Sequence, residues 1–340
     1  DRLAHNFESI GAYLARVRPG QPPPGIIPVI KANAYGHGAE QVALTVERCG
    51  ATMVACADIE EAITLRRAGL RCRILVFGAL SLSDLDGIFD HALTPTISTP
   101  TAARVLQEAA QRRGVRLAYH LKIDTGMNRL GFRHDNLERT MPALVLATHL
   151  DLEAVYTHFA TADAPGGDLF AEQLAHFETA RAELCRRGLC PRVVHAANSA
   201  AVLADPAAWF DCVRPGLLLY GVTPHDREGF LTLKPVMSLM SRVVAVKGVR
   251  VGETVGYGAS FRAVRPTTLA IVPAGYADGL DTRLEGRGSV LVRGHRAPIV
   301  GSVCMDMITV DVTGLAVTPG DAVAIVGEQG GAAITMSDIA

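Results

Sequence analysis

Residues 29–38 read VIKANAYGHG: an apolar run that ends on Lys31 and passes at once into a segment of small residues. The stretch before it, Gly25 to Ile30, has the continuous apolar character of a strand buried on both faces, which is the mark of a parallel sheet covered by helices. Ending such a strand on a lysine is costly, because an amine with a reference pKa of about 10.4 stays protonated at neutral pH. A Schiff base removes the cost by bonding the amine and neutralising it together. Ala32, Asn33, Ala34, Gly36 and Gly38 leave room for something bulky beside it. Taken alone, the segment also admits a lysine whose stem lies along the strand end and whose ammonium reaches water.

The same texture recurs down the chain. Apolar runs occur at PGIIPVI (24–30), ATMVACA (51–57), RILVFGA (73–79), LTPTIS (93–98), RLAYHLKID (116–124), LEAVYTHF (152–159), RVVHAANS (192–199) and CVRPGLLLY (212–220). Most are separated by helical patterns such as AEQVALTVERCG (39–50), DIEEAITLRRAG (58–69) and TPTAARVLQEAAQRRG (99–114). A first helix precedes them, with Leu3, Phe7, Ile10, Leu14 and Val17 at helical spacing. This alternation predicts an α/β fold, a parallel (β/α)8 barrel of the TIM type over residues 1–229. Lys31, Asp124 to Arg129, His158, Ser199 and Arg214 all fall at or just past the ends of strand candidates. Barrels place their chemistry on that face, so closing the sheet gathers these residues into one pocket. After TPHDREG (223–229) the runs become short and are broken by glycine and proline, which predicts a smaller, mostly β domain over residues 230–340.

Composition narrows the function classes. At 340 residues the chain exceeds what one core usually serves, in keeping with two domains. Lysine and arginine total 33 against 34 acidic residues, which leaves no electrostatic footprint for nucleic acid or an anionic membrane. The chain is 49% hydrophobic, yet no apolar run approaches a membrane span, so the expected ligand is a small molecule. Seven scattered cysteines without a CxxC pair argue against a zinc site or a disulfide framework and point to a reducing, cytoplasmic setting. The histidines are isolated and no HExxH occurs, so no metal is expected. GYGASF (256–261) begins like a dinucleotide fingerprint but has Phe261 where the third glycine belongs.

VIKANAYGHG resembles the pyridoxal-phosphate (PLP) lysine motif of the alanine racemase family, which has fold type III. Seven further segments agree in the family's order: HLKIDTGMNRLGF (120–132), YTHFATAD (156–163), HAANSAA (195–201), VRPGLLLYG (213–221), VGYGASF (255–261), PAGYADG (273–279) and VGSVCMDM (300–307). The resemblance covers nearly the whole chain. It implies that Lys31 carries PLP as a Schiff base and, once released, acts as a general acid or base. Tyr35, Ser199 and the backbone of Gly216 and Leu217 would hold the phosphate, with Asn198 close by. Arg214 would face the pyridine nitrogen; because arginine keeps its proton, it donates and leaves that nitrogen unprotonated. The weakened electron sink favours proton exchange at Cα over side reactions. His195 would stand behind Arg214.

By the same resemblance Tyr257 is the second base, tuned by His158, and it reaches the cofactor of the other subunit, so the active protein is a homodimer with shared sites. Arg129 and the backbone at Met305 would take the substrate carboxylate. Lys122 matches a lysine the family can carry as a carbamate that orients Arg129; an unmodified lysine paired with a carboxylate such as Asp124 is the alternative. Asp306 and Tyr276 would line the entrance and the small substrate pocket, and Asp163 with Arg283 is a candidate entrance pair. Local readings compete: a helix cap for Asn198 and Ser199, a surface hairpin aromatic for Tyr257, a buried structural imidazole for His195.

Two positions depart from the pattern, Asn128 where glycine is common and Ser302 where an arginine often stands at the entrance. The chain opens inside a helix and stops before a C-terminal segment expected to supply a further tyrosine, so truncation at both ends is expected. The implied function is interconversion of L- and D-alanine by a two-base PLP mechanism, supplying D-alanine for peptidoglycan. Alternatives are a broader racemase acting on serine or other small amino acids, a fold-type-III PLP decarboxylase, and a non-catalytic PLP-binding protein. The decarboxylase would be expected to set glutamate against the pyridine nitrogen where VRPG places Arg214, and the binding protein would lack the β domain.

Overall fold

The apolar runs of the first part form eight short strands: β1 (Gly25–Ile26), β2 (Met53–Cys56), β3 (Arg73–Val76), β4 (Thr94–Ile97), β5 (Leu117–Asp124), β6 (Leu150–Tyr156), β7 (Val193–Asn198) and β8 (Cys212–Arg214). The computed structural model describes residues 1–78, 85–164, 167–223 and 231–339. The strands pair in parallel in the order β1-β8-β7-β6-β5-β4-β3-β2. β1 is shorter than the run 25–30 predicts because Pro28 has no N–H to give to a ladder. Pairing resumes beyond it. Val29 N donates to the Pro215 carbonyl at 2.9 Å, and Ala55 N to the Pro28 carbonyl and Ile30 N to the Ala55 carbonyl at 2.8 Å each. The Val29–Ala55 bridge joins the two ends of the sheet and closes the barrel, so the interrupted strand still delivers Lys31 to its mouth.

Helices between the strands start and stop on local chemistry. Asp58 caps Ile59–Arg67 by accepting from Glu61 N at 2.8 Å, and Thr99 caps Pro100–Arg113 by accepting from Ala102 N at 3.1 Å. Proline at the first position suits the latter, whose missing N–H would be unpaired anyway. The helix Arg2–Val17 buries Leu3, Ile10, Tyr13 and Leu14. Against Tyr13 lies the buried Trp209, whose Nε1–H donates to the Val202 carbonyl at 3.0 Å.

The chain divides into two units, Asp1–Lys234 and Pro235–Ala340. The boundary expected at 229/230 lies outside the described residues. In the second unit, Leu239–Arg242, Ala322–Gln329, Ser289–Val292 and His295–Pro298 pair in that order, with Ala332–Ile334 on Ala322–Gln329. A three-stranded sheet joins Ala245–Val249, Thr267–Val272 and Ile308–Asp311, and Thr254–Val255 pairs with Phe261–Arg262. Every one of these pairings is antiparallel, and their inner faces enclose Val243, Val272, Val290, Val310, Val323 and Ile325.

One expectation needs correction. The cysteines are not all free: Cys185 and Cys190 form a disulfide. The chain turns back after helix Leu169–Arg186 through Gly188, whose φ is 79°, and this brings the two Cα atoms to 4.3 Å. Spacing without a CxxC motif did not reveal this turn. The cysteine pattern therefore no longer argues for a reducing compartment. Among the described residues no helix is long and apolar enough to cross a membrane.

Replacing Trp209 with alanine empties a fully buried site between the first helix and the segment entering β8. The barrel should lose about 3–5 kcal/mol of unfolding free energy, read as a lower urea midpoint of the apoprotein. A loss below about 1 kcal/mol would mean that this contact does not anchor the first helix.

Candidate active site

Immediately after Lys31 the backbone turns left-handed. Ala32, Asn33, Ala34 and Tyr35 have φ of 52°, 52°, 56° and 56°. L-residues resist this conformation by roughly 1–2 kcal/mol each, so a run of them persists only where the surroundings hold it. The holding groups are specific. The Glu61 carboxylate accepts from Ala32 N through one oxygen and from Ala57 N, at 2.8 Å, through the other. Asn33 Oδ1 accepts from Ala39 N at 2.8 Å, and Ala34 N donates to the Ile30 carbonyl at 3.0 Å. Glu61 was not singled out from sequence, because a charged residue in the first turn of a helix reads as ordinary solvation of that helix.

The turn sends Tyr35 across to β8. A Cβ on Gly216 would lie 2.4 Å from the Tyr35 hydroxyl, so this close approach requires glycine. Ser199 Oγ accepts from Gly216 N at 2.9 Å and from Leu218 N at 3.3 Å. Asn198 is the cap of the six-residue helix Ser199–Ala204, accepting from Ala201 N at 3.0 Å, as the local reading of NSAA predicts. Tyr35, Asn198, Ser199, Gly216 and Leu217 thus belong to one rim. Tyr220 packs beneath, with its hydroxyl on the Val29 carbonyl at 3.0 Å and its ring against those of Tyr35 and His37.

The barrel interior beside this rim is polar. On β5, His120, Lys122 and Asp124 alternate with Leu121 and Ile123, so all three share one face. Asp124 does not pair with Lys122; its Oδ1 accepts from Gly126 N at 3.1 Å and Asn128 N at 3.0 Å, organising the loop that carries Arg129. Asn128 has φ of 54°, which explains the departure from glycine, since asparagine is among the few side chains that tolerate this region. Lys122 is buried near Arg129, Arg214 and Lys31. Burial first, then those cations, push its pKa down to about 8.

Arg214 donates to His195 Nδ1 at 2.8 Å and to the carbonyls of Thr157 and Ala196 at 2.7 and 2.9 Å. Burial lowers its pKa to about 10, so it remains a cation at neutral pH. His158 stands 3.5 Å from Arg214, and burial together with Arg214, Lys122 and Arg129 lowers its pKa to about 3. It is therefore a neutral imidazole. His195 is likewise held neutral by burial and Arg214.

In the second unit the remaining candidates come together on adjoining loops. Tyr257 is 80% exposed, and its backbone N donates to Ser302 Oγ at 2.9 Å. Ser302 thus fastens the Tyr257 turn in place of an entrance arginine. Gly275 allows the Tyr276 turn to press on Cys304 and Met305, whose carbonyl oxygens would lie 2.4 and 2.3 Å from an added Cβ. Tyr276 N and Ala277 N then donate to the carbonyls of Cys304 and Met305 at 3.0 Å each. Tyr276, Met305 and Asp306 are exposed. Arg283 is paired with Asp281, which accounts for it without Asp163.

PLP fits the donor set of the first unit: an amine for its aldehyde at Lys31, hydroxyls and a cleared backbone for a phosphate at Tyr35, Ser199 and Gly216, and a guanidinium for a ring nitrogen at Arg214. Among the described residues no cluster of potential metal ligands occurs.

Comparison with known proteins places both units. Residues 1–224 match the family model described as alanine racemase, N-terminal domain, and residues 236–340 the model of its C-terminal domain. A protein named alanine racemase from Carboxydothermus hydrogenoformans is 41% identical over 345 aligned residues, covering 100% of this chain and 91% of that protein. The crystal structure of alanine racemase from Bacillus anthracis with bound L-Ala-P superposes with a TM-score of 0.88 at 34% identity, covering 99% of this chain and 87% of that one. That from Bartonella henselae with covalently bound pyridoxal phosphate gives 0.85 at 29% identity, covering 96% and 88%.

Two outcomes test the geometry. Gly216→Ala should weaken PLP binding to the apoprotein about tenfold to a hundredfold, from overpacking against Tyr35 worth roughly 1–3 kcal/mol, measured by absorbance titration. Unchanged affinity would remove Gly216 from the cradle. Lys122 gives a pH signature. Below about pH 8 it is protonated both folded and unfolded, and its buried charge destabilises the fold. Between about 8 and 10.5 the folded state sheds the proton first, so stability rises with pH. In carbonate-free buffer the wild-type apoprotein should gain stability relative to Lys122→Met across that window; parallel curves would refute the shift.

Proposed function

This chain belongs to the alanine racemase family, and we propose that Lys31 and Tyr257 are the two proton carriers with which it interconverts L- and D-alanine. It is a PLP-dependent isomerase. Bound PLP supplies an electron-withdrawing ring that makes the alanine Cα–H acidic enough to exchange. Racemisation requires a proton to leave one side of Cα and arrive on the other, so a single fixed base is insufficient in the simplest mechanism. The Lys31 amine, held at the mouth by β1 and the left-handed turn, serves one side. The Tyr257 phenol serves the other. The observation that carries this reading is the exposure of Tyr257 on a backbone clamped by Ser302, a side chain presented outward on a fixed support.

The remaining residues bind and orient. Arg129 takes the substrate carboxylate, joined by the backbone at Met305. Lys122 is suited to a carbamate: a pKa lowered to about 8 enlarges the minority of neutral amine at neutral pH, whose nitrogen can attack carbon dioxide, releasing one N–H proton to solvent. The resulting anion would turn repulsion of Arg129 into attraction, and Asp124 is already engaged by backbone N–H groups. Arg214 can only donate, which weakens the ring as an electron sink and favours exchange at Cα. This also speaks against a decarboxylase. Tyr257, Tyr276, Met305 and Asp306, grouped and exposed, fit a role in completing the site of a second subunit in a homodimer. A cytoplasmic supply of D-alanine for peptidoglycan is the role that such chemistry fits.

With PLP and either alanine enantiomer in D2O, deuterium should enter Cα from both, and Lys31→Ala should abolish exchange. Tyr257→Phe should cost about 10²–10⁴-fold for one enantiomer only. Equal loss from both would defeat the assignment of opposite sides. Mixing Lys31→Ala with Tyr257→Phe subunits should restore about a quarter of wild-type activity, because half the dimers are mixed and each holds one intact shared site. No restoration would place both carriers in one subunit.

A further inference from the structure

Arg214 is only 3% exposed, yet the partners named above are two carbonyls and two neutral imidazoles, none with a negative charge. A buried cation in that state is strongly disfavoured unless charge of opposite sign reaches it by another route. The route is visible. A guanidinium can only donate, so His195 Nδ1 must accept, and the single proton of this neutral ring sits on Nε2. His195 Nε2 lies 3.0 Å from His120 Nδ1, which must therefore accept in turn. That leaves the His120 proton on Nε2, 3.5 Å from Glu153 Oε2. Glu153 is engaged by both terminal nitrogens of Arg73.

Each tautomer in this chain is forced by the one before it, so every N–H points toward Glu153 and each imidazole turns its Nδ1 lone pair, the negative end of its dipole, toward Arg214. Burial lowers the pKa of both imidazoles, so neither breaks the sequence by taking a second proton. The residues come from β8, β7, β5, β6 and β3, so the chain crosses the barrel interior. Glu153 does not need His120 for its own sake, because Arg73 already pairs with both carboxylate oxygens.

We propose that Glu153 is the distant counter-charge of Arg214, and that His120 and His195 are positioning residues that transmit its polarity and orient the guanidinium toward the cofactor ring nitrogen. The proposal rests on the reading that Arg214 faces that nitrogen.

Histidine side-chain NMR on the 15N-labelled apoprotein reads the chain directly. Both His195 and His120 should be Nε2–H tautomers. Glu153→Gln should move the His195 Nε2–H resonance upfield, although the two residues do not touch. Arg73→Gln, which releases the carboxylate from its ion pair, should move it downfield and serves if Glu153→Gln does not fold. In the holoenzyme, Glu153→Gln should lower kcat about tenfold with KM within about twofold, and Glu153→Asp should recover part of the loss. An Nδ1–H tautomer at His195, or a resonance indifferent to both substitutions, overturns the proposal. The underlying reading is tested separately by 15N-labelled PLP. If Arg214→Lys leaves the pyridine nitrogen shift unchanged while His195 still responds to Glu153, the relay stands and only the placement of Arg214 against the cofactor fails.

Discussion

Positive charge confined at the mouth of a closed barrel is the constraint around which the first unit is arranged. Burial first, with Arg129, Arg214 and Lys31 nearby, lowers the pKa of Lys122, and burial first, with Arg214, Lys122, Arg129 and Lys31 nearby, holds His158 neutral. In a low-dielectric interior such a cluster is unfavourable until anions arrive. A phosphate or a carboxylate is the kind of anion that such a cluster attracts.

Placing an amine at that mouth costs backbone strain. Four consecutive non-glycine residues in the left-handed region follow Lys31, and their conformation is held by Glu61, Asn33 and the ladder across Pro28, Val29 and Ala55. Strain of this kind is retained where it fixes geometry that a relaxed loop would blur. Here it turns the chain sharply enough for Tyr35 to meet Gly216 on the opposite side of the seam. The second unit fixes a side chain by simpler means: Ser302 grips the backbone of Tyr257 and leaves its ring exposed. The two departures from the family pattern are thus intelligible locally, Asn128 as a residue that accepts positive φ and Ser302 as a backbone clamp.

Much of this was legible in the residues. Eight apolar runs alternating with helical patterns specified a parallel barrel, because strand and helix periodicities are local properties of the chain. Lys31, Asp124 to Arg129, His158, Ser199 and Arg214 stood at or just past strand ends, and residues at that end of a barrel are brought together when the sheet closes. The change to a mostly β texture from residue 230 was equally plain in the shorter runs broken by glycine and proline.

Other features had no local signal. Pro28 interrupts β1, yet the ladder to Ala55 and Pro215 survives, and only the neighbouring strands could show that. Cys185 meets Cys190 because Gly188 turns left-handed, not because of their spacing. His158 is held neutral by burial beside Arg214, Lys122, Arg129 and Lys31, none of which its own segment supplies. His120 and Glu153 lie 33 positions apart in sequence and acquire meaning only when β5 and β6 pair and His195 enters between them and Arg214. Periodicity and motif are written in neighbouring residues and can be read from one strand of text. Protonation, tautomer and strain depend on what a group is packed against, and that is decided only when distant segments close on one another.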